Sequence, residues 1–370
     1  MEKVVVLGCG MVGSEIAGDL SKEYSVKIVD INEENLKNVS AKYKLETEKV
    51  DISDKNLLQK VIKDYNLVIC AVPGFMGFNT LKYIIEAKKD VVDISFFNQN
   101  PFELDKLAKE NNVTAVVDCG VAPGLSNIVL GYHNKRMKIK NFECMVGGLP
   151  VNRTWPFEYK APFSPIDVIE EYIRPSRIME NGTIITKPAL SEPELIDIKG
   201  IGTLEAFNTD GLRSLLTTMN IPTMKEKTLR YPGHIEYINV LKKCGFFNTN
   251  EIEVNGKMIK PIDVTAKLLL PLWTLEDDED EFTVLKIVIE GDEDNKQKRY
   301  TYTLIDRYNY EDDVSSMART TGYTCTSAAR LFLNNKFSRK GICPPEYLGE
   351  DENCYLSIIS DLKDRGIKFS

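Results

Sequence analysis

The sequence predicts an α/β fold, a parallel sheet with helices on both faces, and three observations carry the prediction. Across the first 120 residues, apolar runs rich in Val and Ile alternate with amphipathic stretches. The runs are apolar on both faces, as strands buried between two helical layers are. A glycine-spaced turn joins the first run to the first helix, and the second run leads into an acid, Asp30.

In chain order, the first strand is Val4–Leu7, which enters the turn Gly8-Cys9-Gly10-Met11-Val12-Gly13. Gly8 allows the tight turn, Gly10 lets the backbone approach a pyrophosphate, and Gly13 lets the helix pack close to the strand. The helix turns its N-terminal N–H groups toward the negative phosphates. Alone, Gly-x-Gly-x-x-Gly is weak evidence. Set between strand and helix, with an acid twenty residues past Gly10, it marks a dinucleotide site. A glycine-rich turn without a ligand is the bland alternative. Met11 and Val12 join the cofactor set. Asp30 can accept hydrogen bonds from a ribose 2′-OH and would repel a 2′-phosphate, so NAD is expected over NADP. Cys9 reads as a small side chain within the turn.

Further strands are expected at Val26–Val29, weakly near Lys49, and at Leu67–Val72, Val91–Ile94 and Val113–Val117. Helices are expected at Asp54–Ile62 and at Pro101–Glu110, the latter with proline in its first turn, where no N–H is needed. Such sheets bind ligands beyond the carboxyl ends of their strands. That rule selects Asp51 and Ile52 for the adenine end, and Ala71, Val72 and Pro73 for the middle of the cofactor. Asp93 to Ser95 then lie toward the nicotinamide, with Asp118 at the last strand end. Asp51 could equally cap the following helix.

Composition narrows the classes. With 43% hydrophobic and 28% charged residues, the chain of 370 residues is an ordinary globular protein long enough for two domains. A net charge of −8 without any basic run argues against nucleic acid, and no apolar run is long enough for a bilayer. The first strand begins almost at once, which leaves no room for a leader, and eight cysteines without a Cys-x-x-Cys pair suit reduced thiols; a cytoplasmic location is expected. No metal is expected. The acidic run Glu276–Glu281 has no His or Cys beside it and reads as a solvated loop.

From Asp118 onward the chain resembles the saccharopine dehydrogenase-like family. The stretches that carry the resemblance are Asp118-Cys119-Gly120-Val121-Ala122-Pro123-Gly124-Leu125-Ser126-Asn127, Gly147-Gly148-Leu149-Pro150 and Tyr159-Lys160-Ala161-Pro162-Phe163-Ser164-Pro165. Leu204-Glu205-Ala206-Phe207-Asn208-Thr209-Asp210-Gly211, Thr228-Leu229-Arg230-Tyr231-Pro232-Gly233-His234 and Ala318-Arg319-Thr320-Thr321-Gly322-Tyr323 follow in the same order. The resemblance covers nearly the whole chain. It implies a Rossmann-type domain over 1–120, a mixed α+β substrate-binding domain over 121–310, and a C-terminal segment, 311–370, returning to the nucleotide domain. Residues 283–289 and 299–305 read as strands on either side of the polar turn Gly291–Asn295.

The implied chemistry is oxidation or reduction of a C–N bond at the ε-position of lysine. In the form expected here, NAD takes a hydride from the ε-carbon of lysine, water converts the iminium to the semialdehyde with release of ammonia, and the semialdehyde cyclises. The implied partners are a small amine substrate, lysine or a relative, and a second copy in a homodimer, with neither nucleic acid nor membrane.

Arg230 is the candidate for the substrate α-carboxylate, which a guanidinium clamps bidentately, and its position is a substrate-binding one in the family. A structural salt bridge is the alternative, with Arg213 and Arg319 as reserves. Thr209 stands where saccharopine reductases more typically carry arginine, and Ala122 where they carry an acid. The first fits a smaller substrate, though Arg213 close by could compensate. The second bears on how the bridging amine is held, and both weaken the saccharopine reading without excluding it. For proton transfer the candidates are His234, an imidazole titrating near neutral pH, and Lys160, a lysine able to act as base when buried. The residues do not choose between the two. Asp118 and Asp93 could pair with the substrate amines and favour developing positive charge. His133 reads as structural. Gly147 is placed with the cofactor set. Thr320 closes a wall of the site or caps an expected helix, Thr326–Asn334. A saccharopine or carboxynorspermidine dehydrogenase acting on a secondary amine is the nearest alternative, and a non-catalytic NAD-binding regulator is another.

Overall fold

The structure, a computed structural model, describes residues 1–161, 165–276 and 279–370. Pro162, Phe163 and Ser164 of the family motif, and Asp277 and Asp278 of the acidic run, lie outside the described residues. The chain forms two compact units: residues 1–137 with 318–368, and residues 138–317 with 369–370.

The first unit is built on a parallel sheet of seven strands. Six are β1 (Lys3–Leu7), β2 (Ser25–Asp30), β3 (Glu46–Lys49), β4 (Leu67–Cys70), β5 (Asp90–Asp93) and β6 (Thr114–Val116). Their spatial order is β6-β5-β4-β1-β2-β3, with the strand Gly341–Cys343 added beside β6. The order reverses between β1 and β4, the switch point at which such sheets bind nucleotides. The expected strands are present with ends moved by a residue or two: β1 and β2 are longer, and Leu67–Val72 stops at Cys70, before Pro73 removes a ladder donor. Gly341–Cys343 was not foreseen. Three residues, beginning with a glycine and followed by Pro344, carry no readable period.

Local sequence sets the helix starts. Asp54 caps Lys55–Ile62 by accepting from the N–H groups of Asn56 and Leu57. Pro101–Glu110 divides into a 3₁₀ turn, Pro101–Leu104, and an α-helix, Asp105–Glu110. The last long helix runs Ser316–Leu333, ten residues ahead of its expected start, so Thr320 lies inside a helix and caps nothing. Here packing overrides the weak propensity of threonine: a Cβ on Gly322 would lie 3.3 Å from Ile16, so the glycine lets this helix approach Met11–Ser21.

A buried charge network ties the C-terminal helices to Met11–Ser21. Asp19, 3% exposed, accepts from Arg330 at 2.9 Å, Arg365 at 3.1 Å and Thr326 at 2.7 Å. Burial alone would raise its pKa, yet the two guanidiniums hold it below the ordinary value.

The second unit is a mixed sheet. It contains β7 (Lys138–Pro150), β8 (Ser176–Glu180), β9 (Thr183–Lys187), β10 (Glu194–Ile198), β11 (Gly202–Asn208) and β12 (Thr223–Arg230). A separate small hairpin follows, β13 (Ile252–Val254) with β14 (Lys257–Ile259), and then the long pair β15 (Glu281–Glu293) and β16 (Lys296–Arg307). The main order is β10-β11-β12-β7-β15-β16, with β8 and β9 attached to β12. β12 and β7 are parallel, and the other pairings are antiparallel. The expected strands at 283–289 and 299–305 are β15 and β16, longer than foreseen. Asp294 and Asn295, both at positive φ, make the tight turn that antiparallel twist favours. The architecture is the expected one, a Rossmann-type parallel sheet with a separate mixed α+β unit. One apolar cluster of the second unit packs Trp273, Tyr172, Phe207, Ile235 and Ile238 together.

Candidate active site

In the first unit the glycine turn has steric reasons for its spacing. A Cβ on Gly8, whose φ is +102°, would meet the Ala71 carbonyl oxygen at 2.3 Å, and one on Gly13 would lie 2.2 Å from the Gly8 oxygen. A Cβ on Gly10 would meet nothing within 4 Å, so this glycine keeps an open space clear rather than relieving a clash. That open space lies where the helix Met11–Ser21 begins, capped by no side chain and with no acid in its first turn. These features fit a pyrophosphate.

Asp30 is half-buried at the end of β2, with Oδ2 accepting from the Cys9 N–H at 2.6 Å and Oδ1 from the Asn32 N–H at 2.7 Å. Two backbone donors thus fix the carboxylate against the turn, and each oxygen retains acceptor capacity for a ribose hydroxyl. Glu33 and Glu34 open the next helix and add negative charge beside it. Asp51 accepts from the Ser53 hydroxyl and N–H, while Asp54 does the helix capping. Ile52 and Val72 are buried, and Ala71 and Pro73 are more open at the end of β4.

Asp93 ends β5 fully buried, its Oδ1 accepting from the Ser95 N–H at 2.7 Å and hydroxyl at 2.5 Å. Burial raises its pKa to about 7 despite these bonds, and the neighbouring charge of Asp118 pushes the same way. Asp118, 3% exposed, adopts a left-handed φ of 53° one residue before Cys119, whose N–H bonds the Asp93 carbonyl. Asp93 therefore keeps its proton up to about neutral pH. In the family motif that follows, a Cβ on Gly124, whose φ is +134°, would lie 1.8 Å from the Gly120 oxygen, which accounts for that glycine by close approach. Thr320 is buried mid-helix, and Arg319 donates to the Arg365 carbonyl at 2.9 Å.

In the second unit, Arg230 ends β12 only 1% exposed. It donates to Glu171 at 2.7 Å, to the Leu229 carbonyl at 2.9 Å and to the Tyr172 hydroxyl at 3.3 Å, and lies 4.2 Å over the Tyr159 ring. The salt-bridge partner left open by the sequence is thus Glu171. The Tyr172 hydroxyl is 2.9 Å from His234 Nε2, and His234 Nδ1 is 2.9 Å from the Phe157 carbonyl. A carbonyl only accepts, so Nδ1 carries the hydrogen and Nε2 accepts from Tyr172. Burial, then the Arg230 charge, lower the His234 pKa to about 3. The expectation of an imidazole titrating near neutrality is therefore corrected: His234 is neutral, with both nitrogens engaged.

Lys160 donates to the Thr274 carbonyl at 3.1 Å and pairs with Glu279 at 3.2 Å. The Thr209 hydroxyl donates to Glu226 at 2.5 Å and lies 2.9 Å from the Thr228 hydroxyl, and the Gly211 N–H also reaches Glu226 at 3.1 Å. Arg213 is buried at a φ of 44° nearby in sequence. Gly147 lies within β7, where a Cβ would approach Leu229 at 2.8 Å, a packing role. Thr209, Arg230 and His234 thus gather with Glu226, Glu171, Tyr172 and Tyr159, and Glu171 acts on the charges of both Arg230 and Glu226. The four added residues were missed. One signal was present: Glu226, Thr228 and Arg230 alternate along β12 and so share one face.

Burial raises the Glu226 pKa to about 8, with the charge of Glu171 adding to it. The folded state therefore binds more protons than the unfolded chain, whose carboxyl titrates near pH 4.3. Its contribution to stability is full below that pH and is lost as pH rises through about 8. The melting temperature should fall between pH 5 and 8 in calorimetry, and Glu226→Gln should flatten the fall; an unchanged slope in the variant contradicts the assignment. Among the described residues no group of three or more His, Cys, Asp or Glu could hold a metal, and no helix is long and apolar enough to cross a membrane.

The saccharopine dehydrogenase NADP binding domain matches residues 4–116, and the saccharopine dehydrogenase C-terminal domain matches residues 120–367. Rattus norvegicus mitochondrial alpha-aminoadipic semialdehyde synthase is 25% identical over 265 residues, 67% of this chain and 28% of that protein. The chain thus spans about a quarter of the length of such relatives. Saccharomyces cerevisiae saccharopine dehydrogenase (NADP(+), L-glutamate-forming) is 23% identical across 98% of this chain and 97% of its own. The solved apo structure of the L-Glu-forming saccharopine dehydrogenase from that yeast superposes with a TM-score of 0.82 at 21% identity, covering 100% of this chain and 99% of that one. Synechocystis carboxyaminopropylagmatine dehydrogenase is 23% identical across 95% of this chain and 94% of its own. With a nicotinamide-dinucleotide domain at its N-terminus and matches to both domains, the chain belongs to the saccharopine dehydrogenase family.

Proposed function

We propose that this protein is a lysine 6-dehydrogenase, an oxidoreductase that uses NAD to deaminate the ε-carbon of L-lysine. Thr209 carries this reading. In saccharopine reductases its position more typically holds an arginine, whereas here a neutral hydroxyl is bonded to the buried acid Glu226. An acid-bonded hydroxyl in place of that guanidinium suits a substrate end that bears an amine, and removes one of the clamps that the extra glutamate-derived carboxylates of saccharopine would take. The NAD preference rests on Asp30, held by Cys9 and Asn32 in front of the acids Glu33 and Glu34. The matching family domain is described as NADP-binding, so cofactor choice is this chain's own variation on the family.

Gly8, Gly10, Met11, Val12, Gly13, Asp30, Asp51, Ile52, Ala71, Val72, Pro73 and Ser95 would hold the cofactor, which when bound accepts the hydride. Arg230 receives the α-carboxylate in exchange for Glu171. Asp118, beside Asp93, takes the proton that leaves the ε-ammonium neutral. Loss of hydride from the ε-carbon then leaves an iminium; water adds, the C–N bond breaks, and ammonia and the 6-semialdehyde result, which cyclises. His234 is a positioning residue that orients the Tyr172 hydroxyl toward Arg230, and Lys160, held by Glu279, contributes fixed positive charge. Arg213 and Thr320 stand as secondary wall residues.

A second reading, oxidation of a secondary amine, draws on the relatives named as saccharopine and carboxyaminopropylagmatine dehydrogenases, which align along nearly the whole chain. The test is reduced-cofactor formation from L-lysine and from saccharopine, each with NAD and with NADP. Ammonia from lysine supports the first reading, and glutamate from saccharopine the second.

A further inference from the structure

Around Arg230 the second unit buries two polar groups that the charge cluster does not use. Tyr159 is 3% exposed and Trp273 is fully buried. Among the described residues, neither the Tyr159 hydroxyl nor the Trp273 Nε1 has a hydrogen-bond partner. A buried donor left unpaired forfeits the hydration it had in the unfolded chain, so two of them in one apolar cluster call for a partner.

The backbone fixes the two groups together. The Ala161 N–H donates to the Trp273 carbonyl at 2.6 Å, which ties the loop just after Tyr159 to the end of the helix Pro261–Trp273. The two rings meet edge to face with centroids 5.9 Å apart. Both pack against His234, at 5.2 Å from Tyr159 and 6.3 Å from Trp273.

The surroundings of the hydroxyl identify its partner. The Arg230 guanidinium lies 4.2 Å over the Tyr159 ring, and the charges of Arg230 and Glu171 both act on the phenol. Tyr172, whose hydroxyl accepts from Arg230 at 3.3 Å, packs its ring 5.9 Å from that of Trp273. An indole N–H only donates, and a phenol donates readily. Beside a guanidinium, the complement of such donors is an acceptor that carries negative charge. An ionised carboxylate offers about four acceptor positions on its two oxygens, more than the fork of Arg230 takes up. We propose that Tyr159 and Trp273 are substrate-binding residues whose O–H and N–H complete the pocket in which Arg230 holds the α-carboxylate. The inference rests on the reading of Arg230 as the carboxylate's partner and adds a selection rule to it. The site takes α-amino acids and rejects amines that lack the carboxylate, because these leave the same buried donors unpaired.

Calorimetric titration of L-lysine and of cadaverine, which is lysine without its carboxylate, tests this on the full protein saturated with NADH, where no turnover occurs. The wild type should prefer lysine. Tyr159→Phe should weaken lysine about 10- to 100-fold, the range of a hydrogen bond to a charged group, and leave cadaverine within about twofold. Because that substitution removes an unpartnered hydroxyl, the melting temperature of the free protein should hold or rise. For the indole, the chain has two tryptophans and Trp155 is 79% exposed, so Trp155→Phe leaves Trp273 as the single emitter. Lysine should shift its emission and cadaverine should not. A wild type without preference for lysine removes the Arg230 reading and this inference with it. A wild type that prefers lysine, beside a Tyr159→Phe that binds it equally well, overturns the inference alone. So does a Tyr159→Phe that melts lower and loses both ligands alike, or a Trp273 emission blind to lysine.

Discussion

Arg230→Ala is expected to raise KM for L-lysine roughly 30- to 150-fold, the effect of losing a charge-assisted pair of about 2–3 kcal/mol, with NAD affinity nearly unchanged. The same substitution strands Glu171, whose partner at 2.7 Å is removed, and breaking such a buried pair costs about 3–5 kcal/mol of stability. The two effects separate in a double variant. Arg230→Ala with Glu171→Gln removes both charges, so it should recover much of the melting temperature and none of the KM. Steady-state kinetics and calorimetry on both proteins check this. A KM for lysine unmoved by either variant would show that Arg230 serves the fold alone and that the α-carboxylate binds elsewhere.

The second large effect concerns proton transfer. Asp118→Asn should lower kcat by about 10²- to 10⁴-fold, the usual contribution of a positioned acid–base group. Asparagine tolerates the left-handed backbone that Asp118 adopts, with φ at 53°, so the fold should survive. Because Asp93 titrates near pH 7 beside Asp118, the wild-type pH–rate profile should carry an acidic limb close to that value. The limb should move to lower pH in Asp118→Asn, which removes one of the influences that raise Asp93. A kcat within about twofold of wild type would move the base to another group, with Lys160 the next to test.

How much was legible in the sequence followed the range of the interaction. The glycine turn is local in sequence: a strand, three glycines and Asp30 lie within thirty residues, and Gly13 answers to nearby Gly8 and Gly10 to an open space, while Gly8 also answers to Ala71 on a distant strand end. The parallel strands were readable because burial on both faces leaves uninterrupted apolar runs. Gly341–Cys343 was not, since three residues that pair with a strand more than two hundred positions away have no pattern of their own. The start of Ser316–Leu333 was missed for a related reason. Its first turns hold threonines and a glycine that look like a helix boundary, and packing against Ile16 makes them interior.

The polar cluster of the second unit was half legible. Arg230, His234 and Thr209 stood out by motif, while Glu171, Tyr172 and Tyr159 reach them from another helix and loop, and Glu226 lies four residues before Arg230 on its own strand. Burial then changed the chemistry of a correctly noticed residue. A histidine free in sequence titrates near neutrality, but one between the Tyr172 hydroxyl and the Phe157 carbonyl, close to a guanidinium, does not. Conversely, Asp93 and Glu226 gain proton affinity that no sequence pattern announces.

The central claim, deamination of lysine at its ε-carbon with NAD, is tested most directly by the ratio of ammonia released to NADH formed when the protein is given L-lysine and NAD. The account predicts a ratio of one, with slower turnover on NADP and none on saccharopine. Reduced cofactor formed from saccharopine with release of glutamate, and none from lysine, would contradict it.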